Sequence, residues 1–172
     1  MNTRTRLVLS TVLLTGAVAL SGCSIVQSII PTSSQPVRDA GTGEVTEEVA
    51  NGDVFSLRVG DCLNSTELGV DTEEIQSVPI VPCSGAHDDE VYSAYLMDDG
   101  EYPGADETTE QASAACETKF DTFIGLSYQE SELDFWPMTP TPQSWAEGDR
   151  EVLCIAFDPV GKVTGTLASA QR

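Results

Sequence analysis

Apolar and polar positions along the chain change their rhythm several times. From Leu7 to Leu20 the residues are predominantly apolar, with Gly16 inside the run. From Ser24 to about Asp53, Ser, Thr, Pro, Gly and Glu dominate, a composition that buries little and predicts a flexible tether. Phe55, Leu57 and Val59 then alternate with polar residues, as in a half-buried strand. Val78-Pro-Ile-Val-Pro82 is apolar and extended, but its two prolines lack the amide needed for a ladder, which predicts an edge or a bulge. Glu90 to Met97 reads as another strand. Between Ala105 and Ile124, residues Ala112, Ala115, Cys116, Phe120, Phe123 and Ile124 recur at spacings of three and four, which predicts one long helix. Asp106, Glu107 and Glu110 suit the positive end of its dipole, and Gly125 suits its end. Residues 126–148 are proline-rich and read as irregular. Glu151 to Phe157 is apolar enough for a central strand, and a final strand near Lys162 to Leu167 is expected to pair with it through the Asp158–Gly161 turn. The expected fold is α+β, a small antiparallel sheet packed against one main helix.

The first apolar run follows Arg4 and Arg6, with no acid before it. As a helix it rises about 21 Å against a hydrocarbon core of about 30 Å, which is short for a span and suited to an export signal. Leu20-Ser-Gly-Cys23 resembles the bacterial lipobox, in which the cysteine thiol receives a diacylglyceryl group and becomes the mature N-terminus. Residues 1–22 are therefore expected to be a lipoprotein signal peptide, 23–53 a lipidated tether and 54–172 the folded domain. Two acyl chains anchor stably where one does not, so the expected location is the extracytoplasmic face of the cell membrane, with Cys23 as the attachment.

Charge narrows the partners. The chain has 28 acidic and 8 basic residues, a formal net charge of −20, and losing Arg4 and Arg6 makes it two units more negative. Such a field repels phosphate backbones and excludes nucleic acid as a partner. About 150 residues suffice for one domain with a tether. With Cys23 given to lipid, Cys62, Cys83, Cys116 and Cys154 remain, an even number that predicts two disulfides in an oxidising compartment. Of the three pairings, Cys62–Cys83 and Cys116–Cys154 are favoured. The helix face carrying Cys116 and the central strand carrying Cys154 are natural neighbours, and the other two cysteines both end strands in the first half.

Candidate chemistry is sparse. His87, the only histidine, stands beside Asp88, Asp89 and Glu90, but adjacent residues of an extended chain point to opposite faces and do not surround an ion. The expectation is no metal, with His87 hydrogen-bonded to backbone near the first disulfide. Arg150 is expected to pair internally with Asp61, Asp149 or Glu90, its other reading being a clamp on a carboxylate or phosphate ligand. Trp136 and Trp145 are expected to roof the core. No G-x-S-x-G elbow or nucleophile–base pair assembles, so no catalytic residue and no cofactor is assigned.

Leu57-Arg-Val-Gly-Asp-Cys62, Val78-Pro-Ile-Val-Pro-Cys83 with Ser84 to Tyr92, Cys116 on a helix, and Trp145-Ala-Glu-Gly-Asp-Arg-Glu-Val-Leu-Cys154 occur in that order. Together they resemble the actinobacterial septum-formation domain family. The resemblance implies an extracytoplasmic α+β domain with paired cysteines, associated with division or the envelope, and no defined reaction. The expectation is a non-enzymatic module that binds an envelope or division protein or a wall component. The rival is a metal-dependent envelope hydrolase built on His87 and nearby carboxylates.

Overall fold

The computed structural model describes residues 34–67 and 75–172; the N-terminal apolar run and Cys23 lie outside them. Among the described residues no helix is long and apolar enough to cross a membrane. The strands, in chain order, are β1 (Val49–Asp53), β2 (Cys62–Leu63), β3 (Ser77–Val81), β4 (Ala86–His87), β5 (Asp89–Leu96), β6 (Asp134–Met138), β7 (Glu151–Phe157) and β8 (Val163–Thr164). Helices α1 (Ala105–Ile124) and α2 (Pro142–Ala146) complete the set. Six strands form one curled, wholly antiparallel sheet in the order β1-β3-β2-β5-β7-β6, and β4 pairs with β8 beside it. The architecture is the expected α+β sheet with one main helix.

β7 explains why the sheet is buried on both faces. Its Val152, Cys154 and Ala156 point into one core, with Phe120, Ile124 and Tyr92, while Leu153 and Ile155 point into another, with Leu63, Val78 and Ile80. A strand read as continuously apolar is what such a position requires. Helix α1 covers the first face. It ends at Gly125, whose φ of 80° is a left-handed conformation that favours glycine, and its last turn is tied down by Gln171 N–H donating to Ile124 O at 3.0 Å. Tyr92 lies against Phe120 and stacks on Phe123, and its hydroxyl donates to Cys116 O at 2.8 Å.

Five expectations change. The stretch read as tether up to Asp53 is folded from Ser34 onward: Val45, Val49 and Val54 are buried against the second face, and β1 pairs with β3. Few apolar residues suffice there because the sheet already presents a hydrophobic surface to receive them. The strand expected from Phe55 to Val59 is instead a 3-10 turn (Val54–Ser56) followed by a bend, since Asp53 accepts from Phe55 N–H and Ser56 Oγ donates to Asp53 O. Only Leu57 of the three alternating residues is buried.

β3 lies inside the sheet, not at its edge. Its Pro79 is tolerated because the β1 register slips between Val49 and Gly52, opposite that proline, which is the bulge half of the expectation. Gly52 itself is required there: a Cβ would collide with the Ile80 side chain and reach 3.0 Å from Val78 O. Finally, the proline-rich stretch contains β6, an edge strand where Pro137 fits, and α2, which starts at Pro142 behind a Thr141–Ser144 capping box. The strand after the Asp158 turn pairs with β4 and not with β7.

Candidate functional site

Both disulfides have the expected pairing. Cys62–Cys83 spans 5.2 Å between Cα atoms and Cys116–Cys154 spans 5.4 Å. The second is buried between α1 and β7. The first borders a run of buried polar side chains, Asp61, Asn64, His87, Asp88, Asp89 and Glu90. The sheet register causes this: Cys62 lies directly opposite Val81 on β3 and Glu90 on β5, and β4 brings His87 in alongside.

Among the described residues, five of these six side chains have a hydrogen-bond partner of their own, while Asn64 Oδ1 has none. Glu90 Oε1 accepts from Thr166 Oγ1 at 2.7 Å, and Oε2 accepts from Leu167 N–H at 2.6 Å, which ties the C-terminal segment to the sheet. His87 is fully buried, with Nδ1 3.0 Å from Gly85 O, the backbone bond expected of it. Its Nε2 has no hydrogen-bond partner. Asp89 accepts from Ser65 N–H at 3.1 Å and from Trp136 Nε1–H at 3.0 Å. Burial pushes its pKa up, the neighbouring Asp88 adds to that, and these hydrogen bonds oppose it. Asp88 accepts from Thr66 Oγ1 at 2.5 Å and lies 3.8 Å from Lys162 Nζ.

Asp61 belongs to Arg38. The guanidinium makes a two-pronged contact, 2.6 Å and 2.8 Å to the two carboxylate oxygens, and also donates to Ser56 O. This hydrogen-bonded pairing with Asp61 raises the Arg38 pKa against the opposing effect of burial. Arg38 was placed in the tether by composition, and only its position as an isolated cation before an acidic domain hinted at such a role.

Of the three partners expected for Arg150, it meets only Asp149, and through the backbone carbonyl in place of the carboxylate. Glu90 and Asp61 are engaged elsewhere, and Arg150 lies flat over Trp145, 3.8 Å from the ring centre, with Nη1 donating to Trp145 O at 2.9 Å and Asp149 O at 2.6 Å. Its Nε is 3.3 Å from Asp99 Oδ1, an ion pair whose angle falls short of a hydrogen bond. Asp149 uses its carboxylate on Ser144 Oγ and Glu151 N–H. Trp145 is buried in the helix-side core and donates to Gly100 O, and Trp136 packs on the other core, so both indoles are structural.

A groove of about 380 Å³ opens where β1 and the ends of β6 and β7 approach α2. Val54, Ile75, Met138 and Leu153 give it an apolar floor, and Asp53, Glu147, Asp149 and Glu151 bring four carboxylates, with no Lys or Arg among the lining residues. Burial, and secondarily Asp149, raises the pKa of Glu151. Phe55 stands at this groove 68 % exposed. These lining residues come from segments read as tether, strand and irregular loop, so no single motif in the sequence announced them.

The fold and its contents thus define a class: a disulfide-bonded α+β module that carries a groove with an apolar floor and an acidic lining. Residues 35–170 match the family model described as septum formation, and the chain belongs to that family. No curated protein and no solved structure matches it.

Proposed function

We propose that this chain is a lipid-anchored envelope module linked to septum formation, which binds a cationic, partly apolar segment of an envelope protein or wall component without carrying out a reaction. The groove carries this reading. An apolar floor of Val54, Ile75, Met138 and Leu153 under four carboxylates suits a ligand that presents both greasy and positively charged groups, and the exposed Phe55 offers a flat anchor at its rim. Family membership supports the link to septation, and the Arg4/Arg6, apolar run and Cys23 pattern supports the anchor. The hydrolase alternative draws less support, because His87 is fully buried and lines neither the groove nor the cavity beside Trp136.

Photo-crosslinking in growing cells tests the reading. A crosslinker at Phe55 is expected to trap one defined partner during septation, whereas the same group at Val160, 95 % exposed on the Asp158 turn, is expected to trap none. Glu147→Lys and Glu151→Lys should suppress the Phe55 product. Equal products from both positions, or indifference to charge reversal, would sink the proposal. A Cys23→Ser chain that still partitions with the membrane would sink its anchor.

A further inference from the structure

The buried histidine beside the first disulfide has a geometry that its structural role does not require. Cys62, His87 and Glu90 each offer one ligand atom, a sulfur, a ring nitrogen and a carboxylate oxygen, and these atoms lie within 4.8 Å of one another. Exposure is 0 % at Cys62 and His87 and 3 % at Glu90. The supporting contacts are those of ligands. His87 Nδ1 faces Gly85 O, which leaves Nε2 with a free position and no partner, and a metal-bound imidazole is normally oriented by such a carbonyl. Glu90 is held by Thr166 and Leu167. Cys62 is committed to Cys83, so in this state the sulfur is no thiolate.

We propose that reduction of Cys62–Cys83 converts this corner of the sheet into a zinc site, with Cys62, His87 and Glu90 as ligands and the fourth position left to water. The bridge is open to attack at its Cys83 end, which is half-exposed, whereas Cys116 and Cys154 are both fully buried. A dithiol reductant, of the thiol–disulfide oxidoreductase class, attacks Cys83 Sγ and expels Cys62 as thiolate. The second thiol of the reductant then resolves the mixed disulfide. The Cys62–Cys83 bond gains two electrons and two protons, and the reductant closes its own disulfide. Zinc binding releases the Cys62 thiol proton to solvent, while Cys83 keeps its own. A sulfur, nitrogen and oxygen set with one open position suits tetrahedral Zn²⁺, whose ligand atoms stand about 3.4–3.8 Å apart, so the separations of up to 4.8 Å among these three atoms need to close by about 1 Å. The metal would tie β2 to β4 and β5 in place of the lost covalent tie to the segment after β3. The inference is independent of the groove reading.

The test uses the purified chain with Zn²⁺ and, as a spectroscopic stand-in, Co²⁺. A Cys83→Ser protein frees Cys62 while leaving Cys116–Cys154 closed. It is expected to take up one zinc per chain and to show the sulfur-to-cobalt charge-transfer absorption. The oxidised wild type should bind none. Adding His87→Ala or Glu90→Gln to Cys83→Ser should weaken zinc by at least about tenfold. If Cys83→Ser does not fold without metal, the wild type reduced by a phosphine in the presence of Zn²⁺ is expected to keep its circular dichroism and to lose it on chelation. Zinc uptake unaffected by the His87 and Glu90 changes, absence of uptake in the opened protein, or unfolding on reduction despite zinc would each overturn the proposal.

Discussion

Cys116 and Cys154 close across an aromatic, apolar core, whereas Cys62 and Cys83 close beside six buried polar residues between positions 61 and 90. The same covalent device thus serves two halves held together by different physics. On the helix side Phe120, Ile124 and Val152 are fully buried, and stability rises with apolar area removed from water. On the other side a large part of the free energy lies in satisfying charges that burial would otherwise penalise: Arg38 answers Asp61, Trp136 and Ser65 answer Asp89, Thr166 and Leu167 answer Glu90. The first half buries no carboxylate among its core residues and is tolerant of shape-conserving changes. The second depends on each partner being present in the right protonation state.

The sharpest way to break the contrast is to damage each half in its own currency. Phe120→Ala removes the ring packed against Tyr92, Tyr128 and Phe135 and is expected to cost about 3–5 kcal/mol by urea denaturation, with little dependence on pH. Arg38→Ala leaves the buried Asp61 carboxylate without its counter-ion, answered only by Arg58 N–H, at a cost of about 3 kcal/mol at neutral pH, and Asp61→Asn in the same chain should recover part of it. If the double variant is no better than the single one, the cost lies in packing and the two halves are more alike than the contacts suggest. Arg150→Ala, which loses the stack on Trp145 and two carbonyl contacts, is expected to cost about 1–2 kcal/mol, and Arg150→Lys should restore little because an ammonium does not lie flat on an indole.

The smallest effect is one of slope. Asp89 has its pKa raised by burial, so the folded protein holds that proton at a pH where the unfolded chain has released it. Its contribution to stability is therefore greatest below the ordinary carboxylate value of about 3.9 and declines as pH rises through its raised pKa. Stability of the wild type minus that of Asp89→Asn, measured by urea melts across acidic pH, should fall over that window and then level. A difference that rises instead would mean that the hydrogen bonds from Ser65 and Trp136 outweigh burial.

The helix side was the legible half. Spacings of three and four placed α1 with its true ends, and the continuous apolar run Val152–Ala156 announced a strand buried on both faces. Periodicity works there because each residue's role depends on its own element. The polar half was read less well. Val45, Val49 and Val54 are scattered among polar residues and are buried only because a distant sheet receives them, so composition classed their segment as tether. Phe55–Val59 had a strand's alternation, but hydrogen bonds donated to Asp53 by Phe55 N–H and Ser56 Oγ curl it. The disulfides could be paired from element types alone, and His87 could be given its backbone contact from its neighbours, but the approach of Glu90 to Cys62 depends on a cross-strand register that no local pattern carries. The groove was illegible for the same reason, being assembled from segments nearly a hundred positions apart.

Strand order has a further consequence, for timing. β7 lies between β5 and β6, yet it follows both of them in the chain. It also supplies apolar residues to both cores and Cys154 to the second disulfide. A chain delivered N-terminus first, from a ribosome or through an export channel, therefore has neither core complete until residue 157 has emerged, and β5 and β6 wait with their β7-facing edges open. Completion of the fold is deferred to the moment of release, which leaves the nascent chain dependent on whatever shields those edges in the interval.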